Sequence, residues 1–170
     1  GKGTTVLSDR LFNKLSKAAS FSAMIEERGH HLSKEILAIE KIKTNSTTPE
    51  IAAAFGKEAY KLTRLYRLDY EPYIYFEHYL PVLGDESSLE QMEKLSLYKW
   101  LASYQKVVGK FQDTFAVAPA EPAIQKLLNT KSPYLLKRVR TSYSQSEEII
   151  EISHAQYDTD KFPYLIEYEI

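Results

Sequence analysis

The chain has no cysteine, one tryptophan, two methionines and six glycines in 170 residues. Without cysteine there is no disulfide framework and no thiolate nucleophile or ligand, a composition that fits a reducing compartment. No long apolar run exists either. The longest aliphatic stretch, IAAAF at 51–55, is far too short to cross a bilayer. The N-terminal GKGTTVLSDR has no apolar segment behind its positive charge, so it does not read as a secretory signal. An excess of one charge is missing as well. Twenty-two basic and 23 acidic residues are spread along the chain, which argues against a nucleic-acid surface, because neutralising phosphates needs a clustered basic face. The four histidines, at 30, 31, 78 and 154, lack HExxH or any other ligand spacing, so no metal site or cofactor is expected.

What is present is the composition of one globular domain, 44% hydrophobic and 26% charged. The segment 8–29 opens with helical spacing, restarts at Ser20 as an N-cap and stops at Gly29 as a C-cap. HLSKEILAIEKIK at 31–43 alternates like a strand, and TPEIAAAFG at 48–56 reads as a short helix. Two strands follow, at 59–69 and 72–82. After a polar loop, SLYKWL is a helix with Ser96 at its cap, and KFQDTFAVA is a strand. AEPAIQKLLN is a helix, SPYLLKRVRTSYS and EEIIEISHAQYDTD form a second hairpin, and FPYLIEYEI reads as a last strand. Hairpins interrupted by helices, without strict alternation, predict an α+β domain with a mainly antiparallel sheet flanked by helices.

The first hairpin, RLYRLDYEPYIYFEHYLP, concentrates polar groups. With Tyr70 and Glu71 as a two-residue turn, Arg64 stands opposite Glu77 and Tyr66 opposite Tyr75, all on one face, with Leu65, Ile74, Phe76 and Leu80 on the other. Two readings of Arg64 remain open: a cross-strand ion pair with Glu77 of small value, or a ligand contact. Ser20 and Ser96 begin helices and are either plain caps or anion-binding positions. Glu151, Ser153 and Tyr157 alternate onto one side of the last strand, as a solvated face or a site would. No nucleophile–base or His–carboxylate pairing is visible in the order of residues, so no catalytic residue is expected.

Taken together, the GKGT start, the SFS helix, the R…D-x-E-P…E…YLP hairpin, the SLY helix, LL before a strand and E-I-S…Y resemble the UTRA effector-binding domain of GntR-superfamily transcription regulators, HutC subfamily. The opening GKGTTV resembles the end of the winged-helix wing in these regulators, so residues 1–7 are expected to be a linker remnant and 8–170 the effector-binding and dimerisation domain. The resemblance implies a chorismate-lyase-like fold, a homodimer, a cytoplasmic location, no membrane contact, DNA binding only through an N-terminal domain absent here, and a small polar effector such as a sugar phosphate. It implies phosphate contacts from Ser20, with its neighbours Phe21 and Ser22, from Arg64 and from Ser96. Hydroxyl contacts are implied for Glu77, Tyr98, Glu151 and Tyr157, and the positions of Tyr66 and Ser153 also line the implied site. The chain departs from the pattern at Tyr66, where a second arginine is common, at Tyr70 in place of glycine, at Arg67, one residue late and so aimed at the other face, and at Asp158 in place of arginine. An enzyme of the same fold acting on a small carboxylate is the alternative.

Overall fold

The computed structural model describes residues 24–85 and 87–166; Ser20, Phe21 and Ser22 lie outside them. Six antiparallel strands form one sheet in the order β1-β2-β3-β6-β5-β4. The elements run β1 (Leu32–Lys43), α1 (Pro49–Phe55), β2 (Glu58–Leu68), β3 (Glu71–Leu80), α2 (Ser87–Lys94), α3 (Leu97–Ser103), β4 (Val108–Pro119), α4 (Pro122–Leu128), β5 (Tyr134–Ser144) and β6 (Ile149–Tyr157). The α+β expectation holds, and the order places the two hairpins, β2-β3 and β5-β6, side by side at the centre.

Local chemistry accounts for most boundaries. A helical turn at 24–27 ends at Gly29, whose φ of 84° permits the two closing bonds, Gly29 N to Glu26 O at 2.9 Å and His30 N to Ile25 O at 3.2 Å. Pro49 and Pro122 each open a short helix, where a missing N–H costs nothing. Helix α2 was not foreseen in the polar loop. Asp85 starts it by accepting from the Ser87 backbone at 2.9 Å, and its apolar side reduces to Leu89 and Met92. The final strand is not formed within the described residues: 162–166 are irregular. Pro163 has no N–H to give a ladder, and Phe162 and Tyr164 pack on the core instead.

The hairpin register differs by one residue from the expectation. The turn is Asp69-Tyr70, with φ of 49° and 70°, as the two-residue turns that match strand twist require. Asp69 is held there by both oxygens, Oδ1 accepting from His31 N at 2.8 Å and Oδ2 bonded to His30 Nδ1 at 2.6 Å. A bulge follows between Tyr66 and Arg67, which stands opposite Pro72. Arg64 therefore faces Phe76, Tyr66 faces Ile74, and Glu77 pairs with Thr63. A one-residue slip turns every side chain of β3 over. Phe76 and His78 come to the Arg64 face; Tyr75, Glu77 and Tyr79 go to the other.

Each face has its own cover. On the Glu77 face, Leu65 and Tyr75 pack with Ile124 and Leu128 of α4, while Ala59, Tyr79 and Ile152 pack with Ile51 of α1. On the Arg64 face, one cluster joins Ile25, Tyr66, Phe76 and Tyr157, and another joins Tyr60, Leu62 and Leu80 to Trp100 and Leu101. Trp100, fully buried, also ties α3 to α2 through its Nε1 bond to Ser88 O at 3.0 Å. The polar residues of this face lie between those two clusters.

Candidate functional site

Strict alternation on the two central hairpins puts Arg64 and Tyr66 of β2, Phe76 and His78 of β3, Glu151, Ser153 and Tyr157 of β6, and Arg138, Arg140 and Ser142 of β5 on one face. Neighbouring strands place Ser153 opposite both His78 and Arg140, and Glu151 opposite Ser142. Glu151, Ser153 and Tyr157 thus share a side as expected. They are not solvated, however, since all three are essentially without exposure.

A relay crosses the middle of this face. Arg64 donates from Nε and Nη2 to His78 Nε2 at 3.1 and 2.8 Å, and His78 Nδ1 lies 3.2 Å from Glu151 Oε1. Arginine has only donors, so His78 Nε2 must be the acceptor and the ring proton sits on Nδ1, donated to the carboxylate. Burial, reinforced by the Arg64 charge, pushes His78 down to about 4, which keeps the ring neutral near pH 7. Burial opposes ionisation of Glu151, but the His78 hydrogen bond and the Arg64 and Arg140 charges outweigh it and hold the carboxyl below its usual value.

The aromatic walls are Tyr66, tilted against Phe76 at 4.5 Å between ring centres, and Phe76, stacked on His78 at 5.2 Å. Tyr98 reaches in from α3, edge-on to Phe111 at 5.7 Å. Burial raises the phenols of Tyr66, Tyr98 and Tyr157, so each stays protonated and can donate. On the β4 side, Arg140 is held by Asp113 through a two-pronged bond at 2.7 and 2.8 Å. Two buried polar atoms of this face, Arg138 Nε and Glu151 Oε2, have no hydrogen-bond partner among the described residues, while Ser142 Oγ has the Tyr98 hydroxyl beside it. Buried polar groups are nearly always paired, so two orphans on one face call for an occupant.

Not every expected residue arrives. Glu77 is on the opposite face, where it accepts from Tyr75 and Tyr79 at 3.0 and 2.7 Å and lies 3.7 Å from Lys61. Its expected role beside Arg64 fails for the reason of register given above. Ser96 stands before α3 with no side-chain cap bond and is exposed. Arg67 pairs with Glu35, away from the Arg64 face. Asp158, in place of the common arginine, is buried 3.7 Å from Lys161.

The family model of the UTRA domain matches residues 27–163. The chain belongs to the UTRA domain family. No curated protein sequence matches it at a significant level. Among solved structures, it resembles the effector domain of PhnF from Mycobacterium smegmatis, with 19% identity, a TM-score of 0.72, and coverage of 84% of this chain and 90% of that one. It also resembles PhnF itself, with 18% identity, a TM-score of 0.76, and coverage of 88% and 68%. A GntR-family transcriptional regulator from Enterococcus faecalis V583 shows 20% identity, a TM-score of 0.66, and coverage of 79% and 99%. At these identities the likeness establishes the fold, which is that of regulator effector domains.

Sequence reasoning missed the contribution of β5 to this UTRA domain. Arg138, Arg140 and Ser142 alternate in KRVRTSYS as clearly as Glu151, Ser153 and Tyr157 do in β6. The signal was available: two arginines at i and i+2 on a strand must share a face, here the face that Glu151, Ser153 and Tyr157 of the paired strand also share.

Proposed function

We propose that this UTRA domain is the ligand-sensing and dimerisation part of a bacterial GntR-superfamily regulator of the HutC subfamily. Its effector is a small polar metabolite carrying an organic anion, such as a sugar phosphate or amino-sugar phosphate. Binding on the Arg64 face alters how a homodimer presents its separate N-terminal DNA-binding domains to an operator in the cytoplasm. The observation that carries this reading is the pair of buried polar atoms without partners among the described residues, Arg138 Nε and Glu151 Oε2, among aromatic walls. Such orphans cost stability unless a ligand completes them, which suits a domain ordered by its effector.

Tyr98, Glu151, Ser153 and Tyr157 supply donors and acceptors to hydroxyls, and Arg64 lends positive charge from the relay. Ser20, Phe21, Ser22 and Ser96 retain a ligand-lining role that the family resemblance implies. A thermal-shift screen of phosphorylated sugars against their parent sugars tests the reading. A compound at a hundredfold its Kd stabilises by about 2.7 kcal/mol, on the order of 5 to 10 °C for a domain of this size. If no member of the screen shifts the melting temperature and sedimentation shows only monomer, the reading fails.

The buried His78–Glu151 pair is the one feature that favours an enzyme instead. Its geometry is unsuited to general-base work, because the Nε2 lone pair is already occupied by Arg64. Turnover of any compound in the screen, followed by mass spectrometry, would reverse this order.

A further inference from the structure

Three guanidiniums share the candidate face, and they differ in what already holds them. Arg140 is neutralised by the two oxygens of Asp113. Arg64 spends Nε and Nη2 on His78, which passes the contact on to the Glu151 carboxylate. Arg138 has no carboxylate within ion-pair distance among the described residues. Among the described residues its one hydrogen bond is a long one from Nη1 to the Tyr164 hydroxyl at 3.4 Å, and its Nε has none, although the residue is only 6% exposed. Among the described residues, Arg64 is matched by Glu151 through His78 and Arg140 by Asp113, whereas Arg138 is buried without a carboxylate of its own.

Arg138 is also held in place. Its guanidinium carbon lies 5.9 Å from the Phe76 ring centre and 5.7 Å from that of Tyr157. Two aromatic rings fix where the fork sits without using its donors, the preorganisation that binding an oxyanion with two prongs requires. Ser142 stands four residues along β5 from Arg138, roughly 13 Å at strand rise, and is directly opposite Glu151, whose Oε2 is the other charged orphan. An acceptor therefore waits at the far end of the same face.

We propose that Arg138 is the anion-binding residue of this site and that Glu151 Oε2 accepts a hydroxyl or ammonium from the opposite end of the same molecule. The ligand class is a small oxyanion, phosphate monoester or carboxylate, with donor groups remote from its charge. This rests on the ligand-sensing reading above and assigns its central contact to a β5 residue. Relative to the β2 positions singled out from the sequence, where Tyr66 stands in place of a second arginine, the cation is moved across the sheet.

The test is calorimetry with three probes that differ only at one end of a hexose: glucose 6-phosphate, glucuronate and glucose. The proteins are the parent chain, Arg138→Met, Arg138→Lys and, as a control away from the site, Arg67→Ala. The parent and Arg67→Ala should bind at least one oxyanion about tenfold or more tighter than glucose, and whichever of the two is preferred identifies phosphate or carboxylate as the source. Arg138→Met should lose about ten- to a hundredfold in that affinity, with Arg138→Lys between, because lysine keeps the charge and loses the fork. The unliganded melting temperature of Arg138→Met should be no lower than that of the parent, since an unmatched buried charge is removed.

Equal oxyanion affinity in Arg138→Met and the parent overturns the Arg138 assignment while leaving the ligand-sensing reading intact. A fall of more than about 5 °C in the unliganded Arg138→Met protein makes Arg138 a structural residue and also overturns it. If the parent binds no oxyanion better than glucose, the ligand class falls together with Arg138. The ligand-sensing reading itself fails only if the wider thermal-shift screen is silent too.

Discussion

Arg64 and His78 are bonded through two guanidinium nitrogens to one imidazole nitrogen, at 3.1 and 2.8 Å, on adjacent strands of the central hairpin. The bond fixes the tautomer of a buried histidine and couples an arginine to Glu151 across three strands.

Arg64→Ala removes both the donor to Nε2 and the nearby positive charge. After burial, that charge is the main influence holding His78 low, so the imidazole should titrate at a higher pH in the variant than the value of about 4 in the parent. Histidine ring NMR across a pH series reads this directly. An unchanged His78 titration would mean that the Arg64 bond is not maintained in solution.

His78 also predicts how stability follows pH. Its folded value of about 4 lies below the unfolded value near 6.5, so the unfolded chain takes up the proton first as pH falls. Stability contributed by the neutral ring is complete above about pH 6.5 and is lost down to about pH 4, by about 1.4 kcal/mol per pH unit at most. Glu151, held below its usual value, adds loss in the same direction at the acid end of that window. Melting temperature should drop steeply from pH 6.5 to 4 in the parent and more shallowly in His78→Gln. Parallel curves for the two proteins would rule out His78 as the group responsible.

Glu77→Gln should lower stability and leave oxyanion affinity within about twofold. The carboxylate is bonded to Tyr75 and Tyr79 and lies near Lys61 on the face covered by α1 and α4. Those bonds and the Lys61 charge hold it below its usual value against the effect of burial, so replacing it weakens charge-assisted bonds of about 1 to 2 kcal/mol in all. Urea unfolding and calorimetry on one preparation measure both effects.

Much of the fold was legible because it rests on short-range signals. Alternation in 32–43, Pro49 and Pro122 at helix starts and Gly29 at a helix end each act within one turn of chain. The site was legible on β6, where Glu151, Ser153 and Tyr157 needed only a period of two. It was not legible at Glu77, because its face depends on the turn type and on one bulge, and the sequence carries no direct mark of the bulge. The two-residue turn expected at Tyr70 and Glu71 lies at Asp69 and Tyr70, with φ of 49° and 70°; no glycine stands at either place to mark which pair turns left-handed. Arg138 was overlooked for a different reason. Whether an arginine is paired depends on β4 and the C-terminal segment, and no local pattern reports that.

Tyr70 itself provides a stability test away from the site. The residue is 80% exposed, and its ring lies against His31 at 5.5 Å between centres. Tyr70→Gly relieves a left-handed conformation worth about 1 to 2 kcal/mol for a residue with a side chain, and gives back part of it through the greater entropy of unfolded glycine. A net gain of up to about 1 kcal/mol is expected in denaturant unfolding, with ligand affinity unaffected. A loss of stability would show that the His31 contact outweighs the strain.

Glu151 is where charge and shape at the site separate most cleanly. It is fully buried, one oxygen accepts the His78 Nδ1–H, and the other has no partner among the described residues. An ionised carboxylate in that position favours an ammonium over a hydroxyl, because attraction between opposite charges is strengthened where water is excluded. Glucosamine 6-phosphate should therefore bind more tightly than glucose 6-phosphate to the parent. Glu151→Gln keeps the volume and an oxygen for His78 but presents a neutral amide, so the preference for the amino sugar should shrink by about tenfold while affinity for glucose 6-phosphate changes less. Arg138→Lys should act in the opposite sense, weakening both sugars alike, since it alters only the phosphate end. If Glu151→Gln weakens both sugars equally and lowers the melting temperature as well, Glu151 serves the relay with Arg64 and His78 alone, and the ligand's second contact lies elsewhere on the face.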